Sequence, residues 1–142
     1  MSKVPLAVRK SIKLAEVNNE EHIERINSAL GTKWTLELDY AALYEQFKDS
    51  RPDYAEQVGE VTNWYLDPFA DKIISFSQKD ELNKEALVEE VKGIKGFKVV
   101  PPGSFEGYNK LELEDGKLVI VIKEDTFAVN VDQLGEDLES LF

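Results

Sequence analysis

The segment at residues 110–122, KLELEDGKLVIVI, constrains the fold more than any other part of the sequence. Its central Asp115-Gly116 pair separates two short alternating runs, which favours a type I′ turn because both central residues of that turn need positive φ. The turn sets four cross-strand pairs: Glu114–Lys117, Leu113–Leu118, Glu112–Val119 and Leu111–Ile120. Apolar pairs then share one face of an antiparallel hairpin. Residues 118–122 are apolar on both faces, so the second strand is predicted to lie inside a sheet.

Helical periodicity dominates the sequence before this hairpin. Helices are predicted at residues 4–17, 18–30, 40–47, 54–65, 68–76, 79–92 and, after the hairpin, 132–141. Their predicted N-caps include Asn18 or Asn19, Asp39, Asp67 and Asp80. Alternation predicts further strands at 33–38, 97–100 and 127–131, the first of them at a sheet edge.

These elements predict one α+β domain that spans residues 1–142. Its helix-rich N-terminal two-thirds would pack on a mainly antiparallel sheet of four to five strands. The sheet would be a C-terminal β-meander built around the Asp-Gly hairpin, and a C-terminal helix would close the chain.

The amino-acid composition limits the cellular location and the classes of partner that are expected for this chain. The chain has no cysteine, which excludes disulfides and cysteine-zinc sites, and it has no run of 18 apolar residues, so no membrane span is predicted. A cytoplasmic location is the default. The 17 basic and 28 acidic residues give a formal net charge of −11. A chain this acidic repels phosphate backbones, so we expect no nucleic-acid partner.

The basic residues are unevenly distributed along the chain. Four of them precede the first acid, Glu16: Lys3, Arg9, Lys10 and Lys13. From residue 14 onward, 13 basic residues therefore oppose 28 acidic ones, a net charge of −15. The basic segment 4–17 is also amphipathic, a pattern shared by transit peptides and membrane-surface helices. We favour a docked helix or an edge strand of the domain over either of these.

The acidic body favours a protein-interaction or adaptor module that binds a basic protein partner. The candidate partner-binding residues are Glu81, Glu85, Glu89, Glu90, Asp132, Glu136, Asp137 and Glu139. A solvated face is the alternative for the first group, because Lys84 and Lys92 follow Glu81 and Glu89 at a spacing that allows neutralising pairs. For the acidic body as a whole, the alternative is that its negative charge serves only to keep the protein soluble.

A small-ligand-binding protein is the second functional hypothesis. Residues 34–76 hold nine of the fourteen aromatic residues, and residues 103–108, GSFEGY, could form a binding loop. The candidate ligand-binding residues are Trp34, Tyr40, Tyr44, Trp64, Tyr65, Ser104 and Tyr108. The helical spacing of the aromatic side chains also fits a core that merely fills the space between helices and sheet.

An enzyme is the third hypothesis, and we do not favour it. It would depend on carboxylates and tyrosines such as Asp67, Asp71 and Tyr65. The chain has a single histidine, His22, which argues against a serine triad and leaves no second histidine for a metal pair. Phosphate-binding Gly-rich loops and other catalytic motifs are missing, so no catalytic residue, metal or cofactor is predicted.

The hairpin also raises the question of assembly. Val119 and Val121 lie on the face opposite Leu111 and Ile120, beside charged residues of the neighbouring strand. This face needs cover from the N-terminal segment or from a second subunit. We expect cover from within the chain and therefore a monomer, with a homodimer as the alternative.

Overall fold

The computed structural model describes residues 4–142 as an α+β fold with five α-helices and one four-stranded sheet. The helices are α1 (Leu6–Leu30), α2 (Tyr40–Phe47), α3 (Pro52–Glu56), α4 (Val58–Lys79) and α5 (Glu81–Glu90). The strands are β1 (Thr35–Leu36), β2 (Gly93–Val100), β3 (Asn109–Glu114) and β4 (Lys117–Lys123). Two 3₁₀ turns, Val131–Gln133 and Leu138–Leu141, end the chain. No helix in this part of the chain is both long and apolar enough to cross a membrane.

The hairpin forms with the predicted register and turn. Glu114 pairs with Lys117 and Leu111 pairs with Ile120 across β3 and β4. Asp115 has φ 51° and Gly116 has φ 78°, the two positive values that a type I′ turn needs. Residues 118–122 are all buried, and β4 is an interior strand. The local sequence was sufficient for this prediction.

The predicted mainly antiparallel sheet is wrong. The strand order is β1-β2-β4-β3, with β1–β2 and β2–β4 parallel and only β3–β4 antiparallel. In a meander β3 would pair with β2. The connection at residues 101–108 instead carries the chain past one strand position, so that β4 lies between β2 and β3. A strand that is apolar on both faces gains most from that interior position.

The predicted strand at 127–131 and helix at 132–141 do not form. Ala128 and Asn130 have positive φ, 68° and 46°, which interrupts an extended strand. Phe127 is instead fully buried, and its ring stacks on Phe47 at 4.0 Å with an interplanar angle of 1°. The last segment makes only the two 3₁₀ turns, because Gly135 lies between them with φ 97°.

The two helices predicted on either side of Asn18 are one helix, α1. Asn19 does not cap a helix end but is fully buried in the middle of α1. Its Nδ2 donates to Tyr40 Oη at 2.8 Å and to Thr62 Oγ1 at 3.1 Å. These bonds tie the amide nitrogen of Asn19 to α2 and α4, whereas its Oδ1 is buried without a hydrogen-bond partner in the described chain.

The predicted helix start at Asp67-Pro68 is also wrong, because Pro68 lies inside α4. A proline inside a helix loses one backbone hydrogen bond and crowds the preceding turn. Burial of the surrounding face offsets that penalty, since Tyr65, Leu66, Phe69 and Ile73 are almost completely inaccessible to solvent. Tertiary packing therefore carries the helix through the proline.

The second face of the sheet is covered within the chain. Val119 and Val121 are buried, although they lie outside the core that packs against the helices. By register, Lys98, Lys110 and Glu112 flank them on the same face. The Nζ atoms of the two lysines lie 3.3 and 3.5 Å from Glu112 carboxylate oxygens. The N-terminal segment was predicted to cover this face, but α1 packs mainly on α4. The contacts to Glu112 come from strands of the sheet itself.

Candidate partner-binding surface

Helix α5 presents most of its surface to solvent. It begins at the predicted cap, where Asp80 Oδ1 accepts a hydrogen bond from Leu82 N at 2.8 Å. It ends at Glu90, and the chain then turns into β2 at Gly93. Leu87 is its one buried residue. With a rotation of about 100° per residue, nearly the whole side opposite Leu87 is free for contact.

Three carboxylates form a row along this outer side. Glu81, Glu85 and Glu89 are spaced by four residues, so they lie one turn apart on the same face, and all three are exposed. The predicted neutralising pairs with Lys84 and Lys92 do not form. Within residues 4–142 no cationic side chain comes within 4 Å of these three carboxylates or of Glu90. The charge of the row is therefore uncompensated at contact distance in the described chain.

Apolar side chains border the carboxylate row. Leu82 is 71% exposed and Val88 is 41% exposed. Each lies on the outer half of α5, beside the row. We name the surface formed by Glu81, Leu82, Glu85, Val88 and Glu89 the α5 face. It combines negative charge with two exposed apolar side chains, one on each side of the row.

The four acidic residues near the C terminus do not form an equivalent surface. Asp137 Oδ2 accepts a hydrogen bond from Leu111 N at 3.0 Å, so this carboxylate satisfies one amide of the edge strand β3. Glu136 and Glu139 border a depression that Lys72 and Lys79 of α4 also line. Asp132 is exposed, and its backbone carbonyl accepts from Lys72 Nζ. The two nearby lysines thus reduce the negative electrostatic potential around these C-terminal acidic residues.

The predicted ligand-binding aromatic residues lie in separate environments. Trp34, Tyr40 and Tyr65 are buried, Tyr44 is half-buried, and Trp64 and Tyr108 are exposed. Trp64 packs edge-to-face on Tyr54 at 6.4 Å. Ser104 Oγ, in the loop before β3, donates to the carbonyl of Pro101 at 2.5 Å. Most of these side chains fill the core or its rim, as the alternative interpretation expected, and they do not converge on one pocket.

The three residues named for an enzyme do not meet at one site, because Tyr65 lies apart from the two aspartates. Asp67 and Asp71 are largely exposed and pair with Arg25 at 3.1 and 2.6 Å. Tyr65 points elsewhere: its hydroxyl accepts from Ala128 N at 2.9 Å and donates to Thr126 O at 3.3 Å. Within residues 4–142 no three histidine or carboxylate side chains are placed to share a metal ion.

A polar network between α1 and α4 was not predicted from the sequence. His22 Nε2 donates to Asn63 Oδ1 at 2.6 Å, and His22 Nδ1 accepts from Arg25 at 3.1 Å. Arg25 then reaches the two aspartates of α4. The signal for it in the sequence was the spacing of these residues, which is three between His22 and Arg25 on α1 and four between the polar residues of α4. The network joins the exposed edges of two packed helices.

The buried Tyr65 hydroxyl makes stability sensitive to alkaline pH. Burial raises the pKa of Tyr65 from 10.0 to about 12. The folded state therefore holds this proton after the unfolded chain has released it, so the stabilisation is complete below pH 10 and is lost as pH rises toward 12. We expect the free energy of unfolding to fall by about 2 to 3 kcal/mol across that window through this group.

Urea unfolding between pH 9 and about 12 measures this effect, with Tyr65→Phe as the comparison. The variant starts lower by about 1 to 3 kcal/mol, because Ala128 N loses its acceptor. Its stability should then decline less steeply with pH than that of the wild type. Parallel curves for the two proteins would contradict the assignment.

Comparison with known proteins identifies no relative of this chain. The sequence matches no protein-family model, and neither a curated protein nor a solved structure shows significant similarity to it. Function must therefore be inferred from the residues and geometry of this chain.

Proposed function

We propose that this protein is an interaction module that binds a basic segment of a protein partner along the α5 face. The observation that carries the proposal is the row of Glu81, Glu85 and Glu89, exposed and without a cation at contact distance in residues 4–142. Successive carboxylates in such a row are about 6 Å apart along the helix axis. Lysine or arginine side chains at the same spacing on a partner helix match it.

The end of α5 supports a role beyond solubility. The carbonyl end of a helix carries partial negative charge and is stabilised by basic residues. The last turn of α5 has no basic residue and instead carries Glu89 and Glu90. These two carboxylates disfavour the isolated helix, and a cationic partner would relieve that repulsion.

The apolar part of the α5 face defines the partner further. Leu82 and Val88 would bury their exposed area against apolar residues that alternate with the partner's cations. An amphipathic basic helix has both properties. Its capture would be steered by the net charge of −11 and would slow as salt shortens the Debye length from about 10 Å at 0.1 M to about 3 Å at 1 M.

A synthetic helical peptide with lysines at every fourth position and leucines between them tests the proposal. Its association with the wild type and with the Glu85→Lys, Glu89→Lys double variant is followed by stopped-flow fluorescence. We expect the association rate to fall at least tenfold in the variant, with a smaller change in the dissociation rate. The matched control is Glu106→Lys with Glu124→Lys, two exposed residues outside α5 that change the net charge equally.

The control separates recognition from overall charge. Equal slowing by both charge reversals would show that net charge alone attracts the peptide, and the α5 face would lose its role. A native-lysate pull-down with the same three proteins extends the test to cellular partners. A protein retained by wild type and control but lost from the α5 variant would support the proposal.

A further inference from the structure

The outer side of α1 is a second surface with unexplained exposure. Leu6, Leu14 and Val17 are 58%, 61% and 59% exposed. They lie opposite the buried stripe through which α1 packs on α4. On a helix that turns by about 100° per residue, these three side chains fall on one narrow face. The helix therefore carries apolar side chains on two opposite sides, of which only one is covered within the described chain.

Charges on this outer side are divided into two halves of opposite sign. Lys10 and Lys13 lie before Val17, whereas Glu21 and Glu24 lie after it. All four are exposed. Within residues 4–142 none of them comes within 4 Å of an opposite charge. We name the outer side of residues 6–28 the α1 face.

The spacing of these charges is symmetric about Val17. Lys10 and Glu24 are each seven residues from Val17, and Lys13 and Glu21 are each four residues from it. If a second α1 runs antiparallel about a two-fold axis at Val17, both lysines of each helix meet both glutamates of the other. The same two-fold places Val17 against its own copy. Such self-complementarity is the defining property of an isologous interface.

We propose that the protein forms a homodimer through antiparallel pairing of the α1 faces of two copies. The inference is independent of the proposed function, because it uses no residue of α5. It favours a homodimer, whereas the sequence favoured a monomer. The contact surface would be helix α1, not the Val119 and Val121 face of the sheet. The helix spans 25 residues, about 37 Å, which is long enough for all four ion pairs and the central apolar contact to form together.

Charge complementarity favours a second copy over other occupants. An anionic membrane would attract Lys10 and Lys13 but repel Glu21 and Glu24 on the same face. A partner of either single sign would likewise match only half of the surface. Leu14 borders a shallow groove that also contains Trp64, which is 40% exposed, so the apolar centre continues onto α4. Trp64 of each copy would add aromatic surface beside the contact.

Sedimentation velocity across a range of protein concentrations tests the pairing with charge-swap variants. We expect the wild type to dimerise at low salt and to dissociate as salt rises. Lys10→Glu with Lys13→Glu makes the outer charges all negative, and Glu21→Lys with Glu24→Lys makes them all positive. Each double variant should dimerise at least tenfold more weakly than the wild type.

Two combinations of these charge-swap variants give the decisive test. An equimolar mixture of the two double variants should form a heterodimer, and the quadruple variant should regain the homodimer, because both restore opposite charges across the two-fold. Circular dichroism verifies that each variant is folded. A wild type that is monomeric up to about 1 mM overturns the proposal. A dimer that the charge reversals leave intact, or a monomer that binds phosphatidylserine vesicles through Lys10 and Lys13, overturns it as well.

Discussion

Replacing Gly59 with alanine is expected to lower the free energy of unfolding by about 3 kcal/mol or more. A Cβ atom at this position would lie 2.3 Å from the backbone oxygen of Ser11 and 2.7 Å from its carbonyl carbon. A backbone atom of α1 cannot rotate away, so α1 and α4 would have to separate along their main contact. Overpacking of a tight core contact destabilises by about 1 to 3 kcal/mol and occasionally by more.

Urea denaturation measures the effect, with Gly31→Ala as the control. Gly31 ends α1 with φ 70°, and a Cβ there would meet no atom within 4 Å. Its substitution therefore isolates backbone strain, which we expect to be worth about 1 kcal/mol. Helix propensity alone predicts the opposite sign for Gly59→Ala, a gain of about 1 kcal/mol. A variant as stable as the wild type would show that the helices do not cross at this glycine.

The second large effect is expected for Phe127→Ala, with a loss of about 3 to 5 kcal/mol. Phe127 is fully buried and stacks on Phe47, which is also fully buried. The segment around Phe127 makes no strand ladder, so it depends on this ring and on the hydrogen bonds of Thr126 and Ala128. Removing the ring should leave a cavity and release the segment that carries both 3₁₀ turns.

Phe142→Ala is the matched control, since Phe142 is 38% exposed and its truncation removes little buried area. We expect a loss of less than about 1 kcal/mol for that variant. Native-state hydrogen exchange at Ala128 N adds a local measurement, because loss of Phe127 should accelerate this amide more than those of β4. Equal destabilisation by the two substitutions would be inconsistent with the anchoring role of Phe127.

Part of the proposed binding surface could also be predicted from the sequence. The spacing of Glu81, Glu85 and Glu89 was enough to place them on one helix face, and Asp80 marked where that helix begins. The sequence could not show that Lys84 and Lys92 stay clear of the row, or that Asp137 turns inward to Leu111 N. Side-chain partners across the fold decide which carboxylates remain available, and no local pattern encodes them.

The sequence by itself determined the features whose energetics are local. The Asp115-Gly116 turn, the register of β3 and β4, and the caps at Asp39 and Asp80 depend on residues within a few positions of one another. Backbone preferences and neighbouring side chains favour the same conformation there. These predictions therefore survived folding unchanged.

Only the tertiary structure decided the features in which a distant contact outweighs a local preference. Asn19 remains helical because its amide nitrogen bonds to Tyr40 and Thr62 across the helix contacts, and α4 continues through Pro68 because its buried face packs in the core. Strand β2 pairs parallel with β4 because the most apolar strand takes the interior position. Local penalties of about 1 to 3 kcal/mol are small beside the burial of several large side chains, so packing determines the outcome.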